Sequence, residues 1–361
     1  MERNLCYGLL ILILLFSINS TAFADDGPTF YGAFKVSLNS TNDGDESAIS
    51  VSNNDSRIGW KGSKKVKEDL DVIYQLEMGF DTTEREKFNS GRNSFLGVKG
   101  AIGKVMLGQH DTPLKDTRDH GAELFDDTIA GVRSIISAIG SNGDGDPSNG
   151  DEDIGAKLDD RAKNAVMYFS PKFNNTQLFV LHSSDMDPGD EVVDDNDNDL
   201  TSASIMHLSG PLYIGIGYQK KSKPSPNDDI TATRVAFSYK FGAYQVGGIA
   251  ESADAGDNNP LTRDAYALNI RYNMDANTWV GFQIAKAEEY DGSSDTGATN
   301  MGAGIVHMMD KSTKVYVVAS NTNNQDNASF GLAQGGNQDR VKAYEPGDRV
   351  SGVSAGMEYK F

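Results

Sequence analysis

The stretch LDVIYQLEMGFD, residues 70–81, alternates between two kinds of side chain along its length. One face carries only apolar residues: Leu70, Val72, Tyr74, Leu76, Met78 and Phe80. The other face carries Asp71, Ile73, Gln75, Glu77, Gly79 and Asp81. Successive side chains of a β-strand point to opposite faces, so this period of two predicts a strand between two different environments.

The same pattern recurs along the whole chain, each time over about ten residues that end in turn-forming residues. Examples are FYGAFKVSLN (30–39), LYIGIGYQK (212–220), TRVAFSYKF (233–241) and SGVSAGMEYKF (351–361). About 16 stretches fit the pattern. Half-buried strands of a soluble β-sandwich would alternate in the same way, so the choice between classes depends on further features.

Three features favour a membrane barrel over a sandwich. The strands are longer than the five or six residues that are usual in globular sheets. The connections alternate between very short ones (101–103 and 242) and long acidic ones. Aromatic residues end the apolar faces at Phe80, Tyr218, Tyr239, Phe241, Tyr272, Tyr359 and Phe361. Together they predict an all-β fold, a transmembrane antiparallel β-barrel of about 16 strands without unpaired edges.

Residues 1–24 have the pattern of a cleaved signal peptide. Glu2 and Arg3 precede the apolar run YGLLILILLFSI, and Ala22-Phe23-Ala24 offers a cleavage site. The run is shorter than the roughly 20 residues that a membrane-spanning helix needs. The single cysteine, Cys6, lies within this segment, so we expect a mature chain, residues 25–361, that forms no disulfide. Export without disulfides favours a bacterial envelope protein.

The chain is strongly acidic, with a formal net charge of −19. This charge argues against nucleic acid as a partner. Residues 141–160 and 185–199 together carry −14 of that total. Both stretches are rich in Asn, Gly, Ser and Pro, so we interpret them as solvated loops.

Several stretches resemble the trimeric Gram-negative general diffusion porins. FYGAFKVSLN is similar to the first strand of that family, and SRIGWKGS to the segment that follows it. GRNSFLGVKGAIGKVMLGQHDTPL resembles the hairpin before the constriction loop, and RAKNAVMYFSPKF the strand after it. The resemblance implies 16 strands, a homotrimer, and a long third loop, here about residues 111–160, folded into the lumen. This loop has AELFDD where the family has a Pro-Glu-Phe-Gly-Gly tip.

The resemblance also implies which charged residues line the pore. The alternation places Lys35 on the inward face of the first strand, and Arg57 and Lys61 on that of the second. Arg57 and Arg92 match constriction arginines of the family, and Arg161 precedes the strand after the loop. The expected basic side is therefore Arg57, Arg92, Lys35, Lys61 and Arg161. The expected acidic loop side is Asp116, Asp119, Glu123, Asp126 and Asp127.

The chain ends in an aromatic residue, Phe361, on the same face as Tyr359. This end resembles the signal by which barrel-assembly machinery recognises outer-membrane chains. The partners implied are that machinery, outer-membrane lipid and lipopolysaccharide, further copies of the chain, and small hydrophilic solutes. We expect a weak cation preference that grows at low salt, because the acidic loops would surround the channel mouth.

Other function classes find less support in the sequence. The runs NGDGD and DDNDND resemble calcium loops. Proline follows Asp146, however, where a calcium hand has glycine, and no glutamate closes a 12-residue loop. Loose divalent binding by the loops stays open. The histidines at 110, 120, 182, 207 and 307 show no metal spacing. No local Ser-His signature indicates an enzyme. We expect no cofactor and no metal site. The alternatives left open are a substrate-selective channel and a surface adhesion or structural barrel.

Overall fold

A computed structural model describes residues 27–83, 88–89, 91–139, 156–184, 186, 199–222, 229–254, 262–333, 341 and 343–361. The predicted signal peptide, residues 1–24, lies outside this range. So do most residues of the two acidic stretches, including the whole run NGDGD and the run DDNDND except for Asp199.

Within the described residues, sixteen antiparallel strands form one closed barrel. Two strands are interrupted: β2 comprises Ser47–Asn53 and Arg57–Lys67, and β4 comprises Phe88–Asn89 and Ser94–Gly100. The others are β1 Thr29–Asn42, β3 Leu70–Phe80, β5 Gly103–Asp111, β6 Arg161–Phe169, β7 Thr176–Ser183, β8 Leu200–Ser209, β9 Leu212–Lys221, β10 Ile230–Phe241, β11 Tyr244–Asp254, β12 Arg263–Asn273, β13 Thr278–Ala287, β14 Ala298–Met308, β15 Thr313–Asn324 and β16 Arg349–Lys360. The predicted barrel and its strand number are confirmed.

The remaining regular elements are short and all lie between β5 and β6. They are a four-residue helix, α1, at Pro113–Asp116, a 3-10 turn at Val132–Ser134, and a ladder of Ala138–Ile139 with Ala156–Lys157. In the part of the chain that the structure describes, no helix is long and apolar enough to cross a membrane.

The connections divide the barrel into two rims. One rim, called the turn rim below, carries the short connections 68–69, 101–102, 170–175, 210–211, 242–243, 274–277 and 309–312. The opposite rim, the loop rim, carries the longer connections, including 112–160, 184–199 and 325–348. The alternation of short and long connections that the sequence predicts is therefore present.

Each strand separates an exposed apolar face from a buried face. On β3, Leu76 is 51% exposed and the adjacent Glu77 is 6% exposed. The exposed outer face also carries a row of aromatic rings near the turn rim. Their centroids are 6.2 Å apart for Tyr239 and Phe241, 5.7 Å for Phe241 and Tyr244, and 5.0 Å for Tyr244 and Tyr272. An apolar outer band with aromatic residues at its border is typical of barrels that face lipid.

The first and last strands close the barrel, and Phe361 lies at the turn-rim end of this seam. The β1–β16 ladder runs from Ala33 opposite Lys360 to Asn42 opposite Ser351. Beyond it, the backbone amides of Gly32 and Phe361 each donate to the other residue's carbonyl at 3.1 Å. The Phe361 ring lies 5.5 Å from the Phe30 ring, centroid to centroid. A Cβ on Gly32 would collide with the Phe361 ring, so glycine makes this contact possible.

Deletion of Phe361 should lower the fraction of chains that form a folded barrel, because it removes two backbone hydrogen bonds and the ring contacts at the seam. Folded and unfolded fractions can be separated by mobility on a denaturing gel of unheated samples. Tyr344→Ala is the matched control, since that ring is 63% exposed and lies at the loop rim. Equal folded fractions in the deletion and the control would contradict the role of Phe361.

Candidate functional site

The segment between β5 and β6, residues 112–160, contacts the buried faces of strands on the far side of the barrel. We call it the loop segment; the structure describes residues 112–139 and 156–160 of it. The hydroxyl of Tyr213 on β9 donates to the carbonyl of Thr117 at 2.8 Å. The amide of Asn269 on β12 donates to the carbonyl of Ala122 at 2.6 Å. The loop segment then reaches β1, where Lys35 Nζ lies 2.6 Å from Asp127 Oδ2.

Apolar packing and small residues hold the loop segment against these faces. Phe125 and Ile129 pack with Tyr316, Val318 and Val350 of the neighbouring strands. Val132, Ile135 and Ile136 pack with alanines of β10, β12 and β13 in a second cluster. At Gly247 an added Cβ would collide with the carbonyl of Gly121, so this close approach requires glycine. Burial of several apolar side chains gives the loop segment one preferred position.

A cluster of buried charges fixes the loop segment at three points. Its centre is Arg234 on β10, whose side chain is 0% exposed. The Arg234 guanidinium donates to Asp159 Oδ1 at 2.7 Å, to Ser137 Oγ at 2.7 Å and to the carbonyl of Leu114 at 3.2 Å. It also binds Glu251 on β11, the residue directly opposite in the ladder. We call Arg234, Glu251, Asp159 and Ser137 the anchor cluster.

Charge compensation explains how these groups remain ionised away from bulk water. Burial opposes ionisation of Asp159, but the guanidinium groups of Arg234, Arg118 and Arg133 outweigh it and hold its pKa below the usual range. Because the pKa of Asp159 is lower in the folded state than in the unfolded state, its ionisation stabilises the folded state at every pH above the ordinary aspartate pKa. The stabilisation is lost only as pH falls through the lowered value. The anchor cluster should therefore persist at neutral and mildly acidic pH.

Between the loop segment and the loop rim lies a cavity of about 590 Å³, the loop-side cavity. Eight bases line it: Lys35, Arg57, Arg92, Lys115, Arg118, Arg133, Arg161 and Lys163. Nine acids line it as well: Asp55, Asp81, Asp111, Asp116, Asp119, Asp126, Asp127, Asp159 and Asp160. The two signs are nearly balanced in number, and many of these groups are paired with each other.

The structure brings four of the five predicted bases to this cavity, and acids of the barrel wall or the loop segment accompany each of them. Arg57 Nε lies 3.9 Å from Glu77 Oε2. Arg92, two residues before the main part of β4, has its Nε 2.5 Å from Glu77 Oε1 and also pairs with Asp55. Arg161 Nε lies 2.9 Å from Asp111 Oδ1. The wall is thus a set of ion pairs and not a uniformly basic surface.

Lys61 and Glu123 lie apart from the other predicted residues. Lys61 is near the turn rim, with its Nζ 4.8 Å from the Tyr31 ring centroid, and does not line the loop-side cavity. Glu123 is buried within the loop segment, where it pairs with Arg118 and accepts from the amide of Val132 at 2.9 Å. Its contacts hold the loop segment together.

The other four predicted acids line the cavity but differ in their surroundings. Asp126 Oδ1 lies 3.0 Å from Arg118 Nη1. Asp119 borders the cavity, yet the enclosing protein desolvates it, and with the charges of Asp126 and Asp111 this raises its pKa to about 6 against the opposing effect of Arg118. Burial, Asp111 and Asp119 raise the pKa of Asp116 well above its usual range. Asp119 therefore contributes less negative charge near pH 6 than a solvated aspartate does.

Two sets of residues were not predicted from the sequence: the anchor cluster, and the bases Lys115, Arg118 and Arg133 of the loop segment. For Arg234 and Glu251 a signal exists in the sequence. Both are charged residues at inward positions of adjacent strands, and the two-residue turn at 242–243 fixes them opposite each other. Residues 112–139 offer no comparable regularity.

Three comparisons with known proteins bear on this arrangement. The sequence profile of the family described as Gram-negative porin matches residues 10–327. Outer membrane porin protein 32 of Delftia acidovorans is 23% identical over 319 residues, which cover 85% of this chain and 84% of that protein. Major outer membrane protein P.IB of Neisseria sicca is 31% identical over 119 residues; this match spans 30% of the chain and only about a third (33%) of that relative.

Solved structures share the fold at lower identity. An anion-selective porin from Comamonas acidovorans superposes with a TM-score of 0.74 at 19% identity, over 93% of this chain and 100% of that one. The trimer form of OmpT, an outer membrane protein of Vibrio cholerae, has a TM-score of 0.65 at 17% identity, over 94% and 100% of the two chains.

Arg234→Leu should loosen the loop segment, because it leaves Glu251 and Asp159 buried without their main partner. Breaking such a pair typically costs about 3–5 kcal/mol. We expect faster amide hydrogen exchange across residues 112–139 and unchanged exchange in the strands away from β10 and β11.

The double variant Arg234→Leu/Glu251→Leu is the matched control for the Arg234 experiment. It removes both charges, so exchange in residues 112–139 should be slower than in the single variant. Wild-type exchange rates in the single variant would show that the anchor cluster does not hold the loop segment.

Proposed function

The chain belongs to the Gram-negative porins, multi-pass β-barrels of the outer membrane, and on this basis we propose that it forms a water-filled channel for passive diffusion of small hydrophilic solutes and ions. One observation supports this proposal most. The loop-side cavity is lined almost entirely by charged and polar side chains inside a closed barrel. A polar interior suits hydrated solutes, which need neither a tight binding site nor a chemical step.

We propose that the loop segment narrows this channel. Contacts to β8 and β9 near one end and to β1 near the other support a path across the interior. The ion pair between Lys35 and Asp127 joins the barrel wall to the loop segment. In this proposal Lys35, Arg57, Arg92 and Arg161 form the basic side of the constriction. Asp116, Asp119, Asp126 and Asp127 form the acidic side.

The near balance of charge in the loop-side cavity supports a weak ion preference. Charges at the narrowest point normally outweigh charges at a wide mouth. Where the charges at the narrowest point cancel, the acidic loops at the mouth determine the ion selectivity. Their effect extends over roughly a Debye length, about 10 Å at 0.1 M salt. We therefore propose weak cation selectivity, in contrast to the structural neighbour that is described as anion-selective.

The proposed partners follow from the outer face and from the family. We propose that the apolar outer band contacts outer-membrane lipid and lipopolysaccharide, and that Phe361 and Tyr359 contribute to recognition by barrel-assembly machinery. We also propose a homotrimer, as in the trimer form of OmpT. Unboiled samples on a denaturing gel should then run well above the monomer; a monomer band alone in mild detergent would contradict it.

Planar-bilayer recording tests the channel function directly. The purified protein should give stable conductance steps that scale with bulk salt conductivity, as expected of a water-filled pore, and that small neutral sugars do not block. An adhesion barrel would insert without conducting, and a dedicated selective channel would be blocked by its substrate. Absence of conductance from protein that migrates as a folded barrel would overturn the proposal. We also propose that the chain has no catalytic activity.

Arg57→Glu tests the constriction assignment. The substitution adds negative charge to the loop-side cavity, so the zero-current potential in a salt gradient should shift toward cation selectivity. Lys61→Glu is the matched control: it makes the same charge change four residues away on β2, outside the cavity, and should shift the potential much less. An unchanged potential in Arg57→Glu would remove Arg57 from the constriction.

A further inference from the structure

A second cavity, the turn-side cavity, lies between the loop segment and the turn rim. Its volume is about 440 Å³. Four of its lining residues, His120, Gly121, Glu123 and Leu124, belong to the loop segment, and none of its lining residues also lines the loop-side cavity. The two cavities therefore differ in their chemistry as well as in their position.

Three inward-facing side chains form a row on the wall of the turn-side cavity. Lys240 lies opposite Gln245, and Gln245 lies opposite Arg271, on the adjacent strands β10, β11 and β12. Two strand spacings separate the backbones of Lys240 and Arg271, which amounts to about 10 Å. All three side chains line the cavity, and each carries hydrogen-bond donors. Neighbouring cations joined by an amide donor are suited to bind an oxyanion.

The positive charge of this row is not neutralised locally. Within the described ranges, no carboxylate lies at ion-pair distance from Lys240 or Arg271, in contrast to the paired bases of the loop-side cavity. Arg271 Nε donates to Asn273 Oδ1 at 2.8 Å, which leaves its terminal nitrogens for other contacts. Glu123 also lines the cavity, but its side chain is 2% exposed and paired with Arg118.

The field of these bases extends to the loop segment. Desolvation lowers the pKa of His120, and the charges of Lys172 and Lys240 lower it further. Both lysines lie close enough to His120 to disfavour a positive charge on this ring, which also lines the turn-side cavity. The cationic character of the cavity therefore comes from Lys240 and Arg271.

The same cavity has an apolar side. Trp279 lies under the Arg271 guanidinium, with 4.5 Å from the guanidinium carbon to the ring centroid, and stacks on Phe125 of the loop segment at 5.7 Å. Leu124, Leu208 and Pro211 complete this surface. Inorganic anions gain nothing from apolar contacts. An organic anion with an apolar body would use both sides of the cavity.

We propose that the turn-side cavity binds small organic anions with an apolar body, such as aromatic carboxylates, through the row Lys240, Gln245 and Arg271. The carboxylate pairs with the two cations, and the body lies against the edge of Trp279 and the neighbouring apolar side chains. This site would lie within the proposed channel. It depends on the channel function in one respect, because the anion must be able to enter the barrel interior. In this proposal the two ends of the pore carry opposite charge. Acidic groups lie at the loop rim, and cationic groups lie near the turn rim.

Fluorescence quenching tests the site at equilibrium. The chain has two tryptophans, and Trp60 lies on the outer face against Phe30, so Trp60→Phe leaves Trp279 as the only reporter. Titration of this protein in detergent with 4-nitrobenzoate should give saturable quenching. The neutral 4-nitrobenzamide has the same ring without the charge and should give only linear, collisional quenching. Lys240→Gln and Arg271→Gln should each raise the apparent Kd about threefold or more, as expected for a loss of about 0.7 kcal/mol.

Lys61→Gln is the matched control, a turn-rim base outside the cavity, and should leave the Kd unchanged. Linear quenching that is equal for the acid and the amide would overturn the proposal. So would a Kd that neither Lys240→Gln nor Arg271→Gln changes. Lys240 is exposed, so its variant tests the site even if Arg271→Gln disturbs the barrel. The titration needs no ion current, so its failure is distinguishable from a failure of the channel function in bilayers.

Discussion

The ladder between β1 and β16 is the contact on which the rest of this structure depends. Backbone groups in lipid have no water to bind, so a membrane sheet must pair every strand. The pairing of Ala33 to Asn42 with Lys360 to Ser351 closes the sheet. Closure then separates an outer face, which carries the apolar band, from an enclosed inner face on which charged groups such as Lys35, Arg57 and Arg234 can lie. The loop segment and both cavities exist because that inner face is enclosed.

Local pairing governs the electrostatics of the interior. A wall of bases facing a loop of acids would produce a strong field across the pore. In this barrel Glu77 and Asp55 accompany the wall arginines, and Arg118 and Arg133 accompany the acids of the loop segment. Pairs of this kind act at short range, since neighbouring opposite charges cancel at a distance. The loop-side cavity is therefore polar but close to neutral, whereas Lys240 and Arg271, which pair with no carboxylate of the described residues, lie near the turn rim.

The alternation of side chains predicted the strands, their faces and the closure, because a period of two follows directly from strand geometry. It placed Lys35 and Arg57 on the inner face for the same reason. Alternation predicts which face of the strand a side chain lies on, but not its position along the barrel axis. For this reason Lys61 lies on the predicted inner face and yet outside the loop-side cavity. The break in β2 at residues 54–56 and the path of the loop segment depend on contacts between residues far apart in sequence. The pairing of Arg234 with Glu251 could have been predicted from the sequence, because the short turn at 242–243 sets the register of their two strands.

The zero-current potential of the wild-type protein in a bilayer with a salt gradient, measured at low and at high salt, tests the balance of charge in the loop-side cavity most directly. With that cavity close to neutral, the loop acids dominate where screening is weak and lose their effect where it is strong. We expect a small cation preference that grows as the salt concentration is lowered. An anion preference at both concentrations would contradict it, because the basic wall would then control the pore.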